Sequence, residues 1–293
     1  MILVTGANGF LGKHICQAIP AAELCTLSRT DARMAIDISK PFLLPDEQIS
    51  TIIHAAGKAH SIPKTETEEQ EFYKVNAEGT KHLLQALEQL STLPKAFVLI
   101  STVAVYGLEQ GINISEDTPL QATSAYGKSK VMAETMVQQW CMKHYVRCTI
   151  LRLPLLAGNN APGNLGKMQE AIKKGRYYNI AGGRAHKSMV LASDVANAIK
   201  PLSAIGGIYH LTDGQHPTFA ALSQAMAAKA GKKPPLSIPY ILARLAATLG
   251  TFMPGFPFNR STLDKMTADL TFNDDKARST GVWAPQSVLD FYR

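Results

Sequence analysis

The sequence predicts an α/β fold, a doubly wound parallel sheet followed by a smaller C-terminal lobe. Three observations carry this expectation. Short aliphatic runs alternate with longer helical patterns through the first half of the chain. The first run, Ile2-Leu3-Val4-Thr5, leads into Gly6-Ala7-Asn8-Gly9-Phe10-Leu11-Gly12 and then a helical pattern to about Ile19. After Gly158 the texture changes to Gly/Asn/Pro loops and short elements, with breaks at Lys232-Lys233-Pro234-Pro235 and over 252–258. The sheet domain is therefore assigned to 1–158. The second lobe takes 159–293, with some of its segments returning to the sheet.

The elements follow in order. Gly6, Gly9 and Gly12 sit where a strand turns into a helix, so backbone N–H groups can approach an anion at the helix N-terminus. This is the context that a dinucleotide-binding turn requires. Leu24-Cys25-Thr26-Leu27 reads as the second strand and ends at Ser28-Arg29-Thr30. An acid at such a strand end would bind a ribose 2′-hydroxyl, whereas an arginine accommodates a 2′-phosphate. Ser28 and Arg29 therefore favour NADP over NAD, unless Arg29 is only a solvated loop residue. Ala35-Ile36-Asp37-Ile38 reads as a third strand. Asp37 could reach an adenine amino group or cap a turn. Thr51 to Gly57 is a fourth strand ending in small residues, Ala55-Ala56-Gly57, beside which a cofactor can lie close. A helix is expected over Glu66–Leu90, with acids in its first turns and Phe72, Val75, Leu83, Leu87 and Leu90 facing the core. Asn76 lies inside it, tolerated or used. Ala96 to Ile100 is a buried strand whose carboxyl end places Ser101 and Thr102 at a ligand-binding crevice. A helix over Ser124–His144 and a strand over Arg147–Leu153, stopped by Pro154, complete the sheet domain.

Composition narrows the functional classes. The 293 residues are 46% hydrophobic and 18% charged, as in a globular domain. No apolar run is long enough to span a bilayer; the longest, Ile238–Leu249, is interrupted by Tyr240 and Arg244 and reads as a packed helix with a sticky exposed face. Met1 leads straight into the first strand, with no leader pattern. Cys16, Cys25, Cys141 and Cys148 have no metal-ligand spacing and read as reduced core residues. A cytoplasmic location is expected. The net charge of +7 is dispersed, which suits an anionic small molecule better than nucleic acid.

Tyr126 and Lys130, four apart, share a face of the helix over 124–144. An ammonium beside a phenol favours the phenolate, so this pair could move protons near neutral pH. Many surface helices carry such a pair, and its meaning depends on its surroundings.

Those surroundings resemble a known family. Thr5-Gly6-x-x-Gly9-x-x-Gly12, His54-Ala55-Ala56-Gly57, Val75-Asn76-x-x-Gly79-Thr80, Ser101-Thr102-x-x-Val105-Tyr106-Gly107 and Tyr126-x-x-x-Lys130 occur in the order found in extended short-chain dehydrogenases/reductases, the nucleotide-sugar epimerase/dehydratase family. Later pieces also fit: Leu151-Arg152-x-Pro154, Gly163-Asn164, Val190 to Asp194, and Lys276-Ala277-Arg278-x-x-Gly281-Val282-Trp283-x-Pro285. The resemblance implies a Rossmann-type sheet with a substrate-binding lobe. It implies that Tyr126 exchanges a proton with the sugar, that Lys130 bonds the nicotinamide ribose and lowers the tyrosine's pKa, and that Thr102, with Ser101 as substitute, orients the substrate oxygen. Gly6, Gly9, Phe10, Leu11 and Gly12 would line the pyrophosphate. Ser28 and Arg29 would face the ribose, and Asp37 with Ile38 would hold adenine. Ala55, Ala56, Gly57, Asn76 and Ser101 would meet the middle of the cofactor, and Pro154 with Leu155 would shape the nicotinamide pocket. Asn164 would bond the sugar's diphosphate, with Arg184 and Lys187 as further candidates, unless those two are solvated surface. Family dimers use the helices over 66–90 and 124–144 in a four-helix contact.

Within the family, a 4,6-dehydratase needs an acid pair directly after Thr102, where this chain has Val103 and Ala104. The expected reaction is 4-keto reduction of a nucleotide-sugar, favoured by Ser28-Arg29 and resembling bacterial surface-polysaccharide enzymes with UDP-linked substrates. A 4-epimerase with retained NAD is the alternative. A non-catalytic NADP sensor is a third reading, opposed by the presence of Thr102, Tyr126 and Lys130 together.

Overall fold

A computed structural model describes residues 1–59, 61, 63–251 and 258–293. The chain opens with β1 (Ile2–Thr5), α1 (Phe10–Ala18), β2 (Leu24–Ser28), β3 (Met34–Ala35) and β4 (Thr51–His54). A helical stretch follows in three parts: α2 (Glu66–Phe72), a π-helical segment (Tyr73–Glu78) and α3 (Gly79–Leu87). β5 (Ala96–Thr102) runs into a 3-10 turn (Val103–Tyr106), and β6 (Gly111–Ile114) and α4 (Ala125–Lys143) come next. Then come β7 (Arg147–Leu153), β8 (Leu155–Ala157), α5 (Gly163–Lys173), β9 (Asn179–Ile180), β10 (Met189–Leu191), α6 (Ala192–Ile205) and β11 (Gly207–His210). The chain closes with α7 (Phe219–Lys229), β12 (Ser237–Ile238), α8 (Tyr240–Thr251), α9 (Arg260–Thr267), β13 (Leu270–Phe272), α10 (Asp275–Arg278) and α11 (Val288–Phe291). The predicted break over 252–258 lies outside the described residues except for Phe258.

Seven strands form one parallel sheet in the order β11-β7-β5-β4-β1-β2-β3. This is a Rossmann-type core. The direction of strand addition reverses between β1 and β4, whose ends are paired in register at Thr5 and His54. Ligands bind outside the carboxyl ends at such a reversal. Strand alternation divides the core between the two faces. Val4, Ile53, Val98 and Leu151 meet Leu11 and Ile15 of α1 and Val195 and Ile199 of α6. Leu3, Ile52, Phe97 and Leu99 meet Leu83 and Leu87 of α3 and Val137 and Trp140 of α4. The second lobe is built from small two-stranded sheets (β10-β8, β12-β9 and β13-β6) and from Leu165, Met168 and Ile172 of α5 packed on Leu222 and Met226 of α7.

Two elements differ from the expectation. The third strand is two residues long, because Asp37 leaves the ladder: its Oδ1 accepts the Ser39 N–H at 3.0 Å in a tight turn. The helix over 66–90 is interrupted by the π-helical segment, whose extra residue per turn shifts the face on which Asn76 projects. The helix over 124–144 starts as expected, with the Ser124 Oγ accepting the Gly127 N–H at 3.1 Å.

One buried polar system crosses the core beside β5. Arg152 on β7 grips Glu134 on α4 through Nε at 3.2 Å to both carboxylate oxygens and through Nη2 at 2.8 Å. The other carboxylate partner is the Ser101 hydroxyl. Arg152 Nη1 also donates to the Tyr106 hydroxyl at 2.9 Å, and Tyr106 in turn meets His210 Nε2 at 2.6 Å. His210 Nδ1 lies 3.0 Å from the Asn273 carbonyl, which can only accept. The proton is therefore on Nδ1, and Tyr106 donates to Nε2. Burial pushes the Tyr106 phenol up to about 12 and lowers His210, which keeps both neutral. The system thus ties β5, α4 and β7 to β11 and the segment entering α10.

Glu134→Gln keeps the shape but leaves the Arg152 charge unpaired. It should cost about 3–5 kcal/mol of folding stability in urea titration, whereas Glu134→Leu with Arg152→Met should recover most of the loss. A single variant as stable as wild type would show that the pair contributes nothing.

Candidate active site

The site begins at the sheet's reversal. Gly6 has φ +71°, and a Cβ there would stand 2.6 Å from the Ala56 backbone. The glycine loop and the Ala55–Gly57 segment therefore lie almost in contact. A Cβ on Gly12 would fall 2.1 Å from the Gly6 carbonyl, so α1 can start this close to the loop only with glycine there. Gly9 caps α1 without a side chain, and the first turn's N–H groups stay open to an anion. Phe10 packs against His14 and, with Leu11, into the core. This cradle fits a dinucleotide pyrophosphate.

Asn8 donates to the Thr30 carbonyl, drawing the end of β2 toward the glycine loop. Ser28 is half-buried there, and Arg29 is exposed with no ion pair among the described residues. Asp37 is held well below the usual carboxylate range, chiefly by its bonds from Ser39, with Lys40 and Arg29 contributing through their charge. Arg29 and Asp37 thus share one edge. Ile38 does not line it: its side chain packs in the core against Gly79, and its carbonyl meets His82 Nδ1 at 2.9 Å.

Asn76 is engaged within the protein on every donor. Its Oδ1 accepts the Lys58 N–H at 2.7 Å, and its Nδ2 donates to the Lys58 carbonyl at 3.1 Å and to Ser129 Oγ at 2.9 Å. Every amide hydrogen is engaged, so Asn76 positions the site and has no donor left for the cofactor. Ser129 donates to the Tyr126 carbonyl at 2.8 Å, which links Asn76 to the first turn of α4. Ser101 is likewise engaged within the protein. Strand alternation turns it away from Thr102, and its hydroxyl is engaged with Glu134.

Thr102, Tyr126 and Lys130 converge at the carboxyl end of β5. Gly127 permits it: a Cβ there would lie 2.6 Å from the Ala104 carbonyl, so α4 rests directly on the 3-10 turn that follows Thr102. Tyr126 packs on Phe72, with ring centroids 5.9 Å apart. Burial raises its phenol pKa, and the adjacent Thr102 hydroxyl opposes the rise. The net shift is thus opposite in direction to the lowering expected from Lys130. Lys130 Nζ is drawn to the Ile100 carbonyl at 2.6 Å, and burial brings its pKa down to about 8. A Cβ on Gly57 would lie 3.8 Å from that Nζ, which places the ammonium beside the β4 loop.

A second relay was not legible in the sequence. Thr80 donates to the Asn76 carbonyl at 2.6 Å and so accepts from His54 Nε2 at 2.9 Å. His54 Nδ1 then accepts from Thr5 at 2.6 Å, and Thr5 accepts the Ala56 N–H at 3.2 Å. Burial, with a smaller contribution from the Lys130 charge, lowers His54 to about 3, so the ring is neutral. These bonds lock the ends of β1 and β4 to the π-helical segment.

Of the remaining candidates, Pro154 and Leu155 are half-buried where β7 passes into β8. Asn164 is exposed in the first turn of α5, and Arg184 is exposed directly after the turn over 181–183. Lys187 is buried beside β13, with a pKa lowered by burial against the opposing Asp269 charge and with no ion pair among the described residues. None of these three shares a hydrogen bond with the Tyr126 group among the described residues. No metal-binding cluster of His, Cys, Asp or Glu occurs among them either.

Known proteins show the same architecture. The chain is 22% identical to a Thermus thermophilus UDP-glucose 4-epimerase solved with NAD, covering 100% of this chain and 98% of that one with a TM-score of 0.74. Pseudomonas aeruginosa RMD, solved with NADPH, gives 20% identity, 100% and 96% coverage and a TM-score of 0.75. In sequence it is 25% identical, over 98% of its length and 91% of the relative's, to the N-acetyl-alpha-D-glucosaminyl-diphospho-ditrans,octacis-undecaprenol 4-epimerase of Escherichia coli O157:H7. Residues 2–203 match the family model described as NAD dependent epimerase/dehydratase family, and the chain belongs to that family.

Proposed function

We propose that this protein epimerises a sugar carried on a diphosphate, through transient oxidation of a ring hydroxyl. The carrying observation is the convergence of Thr102, Tyr126 and Lys130 at the end of β5, followed by apolar Val103 and Ala104. The dinucleotide would accept the hydride and return it. Tyr126 takes the hydroxyl proton as the carbonyl forms and gives it back as the carbonyl is reduced. Thr102 orients the same oxygen and stabilises the phenolate stage. Lys130 holds a positive charge behind the site, on the ribose side, and would pull the phenol down once it turns from Ile100. Val103 and Ala104 offer no proton for eliminating water, which argues against dehydration. A diphosphate would meet Asn164, Arg184 and Lys187, and an anion would relieve the cost of burying the Lys187 ammonium. UDP is the favoured carrier, because a UDP-sugar 4-epimerase is among the similar structures.

A second reading, 4-keto reduction with NADPH, draws on Ser28 and the unpaired Arg29 at the ribose edge. The two are separated by supplying UDP-N-acetylhexosamines without reductant. Interconversion of epimers with no net cofactor consumption supports the epimerase. Turnover of a 4-keto sugar only while NADPH is consumed overturns it in favour of the reductase.

Tyr126→Phe should retain cofactor binding and lose turnover by about 10²–10⁴-fold; near-normal kcat would remove Tyr126 from the chemistry. Arg29→Ala should weaken NADPH binding more than NADH binding by fluorescence titration, and equal effects would mean that Arg29 does not face the ribose.

Lys130 gives a pH prediction. Its folded pKa is about 8 and its ordinary value 10.5. Between those values the unfolded chain binds the extra proton, so the folded state gains stability as pH rises through that window and carries the full burial cost below it. Cofactor-free Lys130→Met should therefore be inactive yet more stable than wild type at pH 7, with an advantage that shrinks toward pH 10. An advantage independent of pH would contradict a buried charged lysine.

A further inference from the structure

Helix α8 is built inside out. Its buried residues are small, Ala243, Ala247 and Gly250, and the two alanines pack with Leu263 of α9 and with Ile180 and Ile238. Its large aliphatic residues point outward: Ile241, Leu242, Leu245 and Leu249 are 72%, 57%, 59% and 67% exposed. At i, i+1, i+4 and i+8 they form one ridge opposite the buried face. Leu236 and Tyr240, just before, are exposed as well. A surface helix of a globular domain normally turns its leucines inward and its polar face to water. Arg244 is the only charged residue in α8.

The stretch of chain that holds α8 is one-sided in charge up to Asp264, an exposed acid on α9. From 214 to 263 the chain has no Asp or Glu, while Lys229, Lys232, Lys233, Arg244 and Arg260 lie in that span. Lys232, Lys233, Arg244 and Arg260 are exposed. An aliphatic ridge within a basic, acid-free segment complements an anionic lipid surface, into which such a helix sinks its apolar face while lysine and arginine meet the headgroups. Two copies joined symmetrically through this ridge would instead set the same basic segments against each other. The twelve residues of α8 span about 18 Å, too short to cross a bilayer. No helix among the described residues is long and apolar enough to do so.

We infer that α8 and its basic flanks are a docking surface for an anionic lipid bilayer. The helix lies in the interface plane with Ile241, Leu242, Leu245 and Leu249 immersed. It packs on the turn over 181–183 that leads into Arg184. Resting on the reading of Arg184 as a diphosphate ligand, docking brings the sugar-diphosphate end of the lobe to the membrane, where a lipid-linked sugar diphosphate could be presented.

The test uses the full chain and vesicles of phosphatidylcholine with or without phosphatidylglycerol. Wild type should sediment with the anionic vesicles, release at high salt and stay in solution with phosphatidylcholine alone. Leu245→Glu with Leu249→Glu should weaken vesicle binding at least about tenfold, with an unchanged thermal melt and unchanged turnover of a soluble UDP-sugar. No sedimentation of wild type, or equal sedimentation of the variant, overturns the docking surface. So does a wild-type dimer that the same variant dissociates while neither binds vesicles. Failure of the soluble UDP-sugar reaction in wild type instead overturns UDP as the carrier in the proposed function, while the vesicle result alone decides the docking surface.

Discussion

The site depends on the primary amide of Asn76. Lysine and tyrosine on α4 and the loop after β4 belong to different layers. Asn76 bridges them by accepting the Lys58 N–H at Oδ1 and donating its two Nδ2 hydrogens to the Lys58 carbonyl and to Ser129 Oγ. The π-helical segment makes the reach possible, since a regular helix through 73–78 would turn residue 76 to another angle. The local departure from α-geometry is thus the means by which three elements share one register. The Thr5–His54–Thr80 relay anchors the same segment from the sheet side.

The electrostatics follow from that packing. Lys130, His54 and Tyr126 are all desolvated, and desolvation disfavours the charged form of each. His54 stays neutral and passive. Lys130 keeps a charge only marginally, held by the Ile100 carbonyl and the distant pull of Glu134. A cofactor ribose would offer hydroxyl oxygens to that ammonium, and leaving Ile100 for them would move positive charge toward the phenol. The low phenol pKa expected from the Tyr-Lys spacing is therefore a property that the folded chain alone lacks. Burial supplies the opposite sign in the folded chain by itself.

The sheet was legible because its strands are short apolar runs separated by strong turn signals, and Thr102, Tyr126 and Lys130 stand at points where topology leaves little freedom. What escaped was side-chain commitment. Asn76 reads as a weak helix residue, and no local pattern announces a π-turn. Ser101 and Thr102 are equivalent by composition and differ only in which face of β5 each takes. Ser129 was within reach of sequence reasoning: it follows Tyr126 by three and must share its helix face. The Glu134–Arg152–Tyr106–His210 system joins residues up to 104 positions apart, and pairing at that distance leaves no periodic trace. The third strand was overextended because apolar alternation at 35–38 ignored how readily Asp37 closes a turn on Ser39.

Chemistry and carrier recognition are physically separable in this fold. The Tyr126 group needs only a hydroxyl and its ring carbon, and its geometry is closed by residues before 153. Nothing there distinguishes a nucleotide from another diphosphate ester. On the proposed reading that choice falls to the second lobe, whose cations include two contrasting sets. Lys187 is buried and suits a fixed anion, while those of 214–263 are spread over a surface and suit a delocalised one. A fixed pocket favours a discrete diphosphate, and a dispersed basic surface around an aliphatic ridge favours an assembly of headgroups. If both proposals hold, the lobe has two recognition tasks at different length scales, with the Ala181–Gly183 turn between them. A substrate that is itself a diphosphate on a lipid would engage both at once, whereas a soluble nucleotide sugar would use only the first.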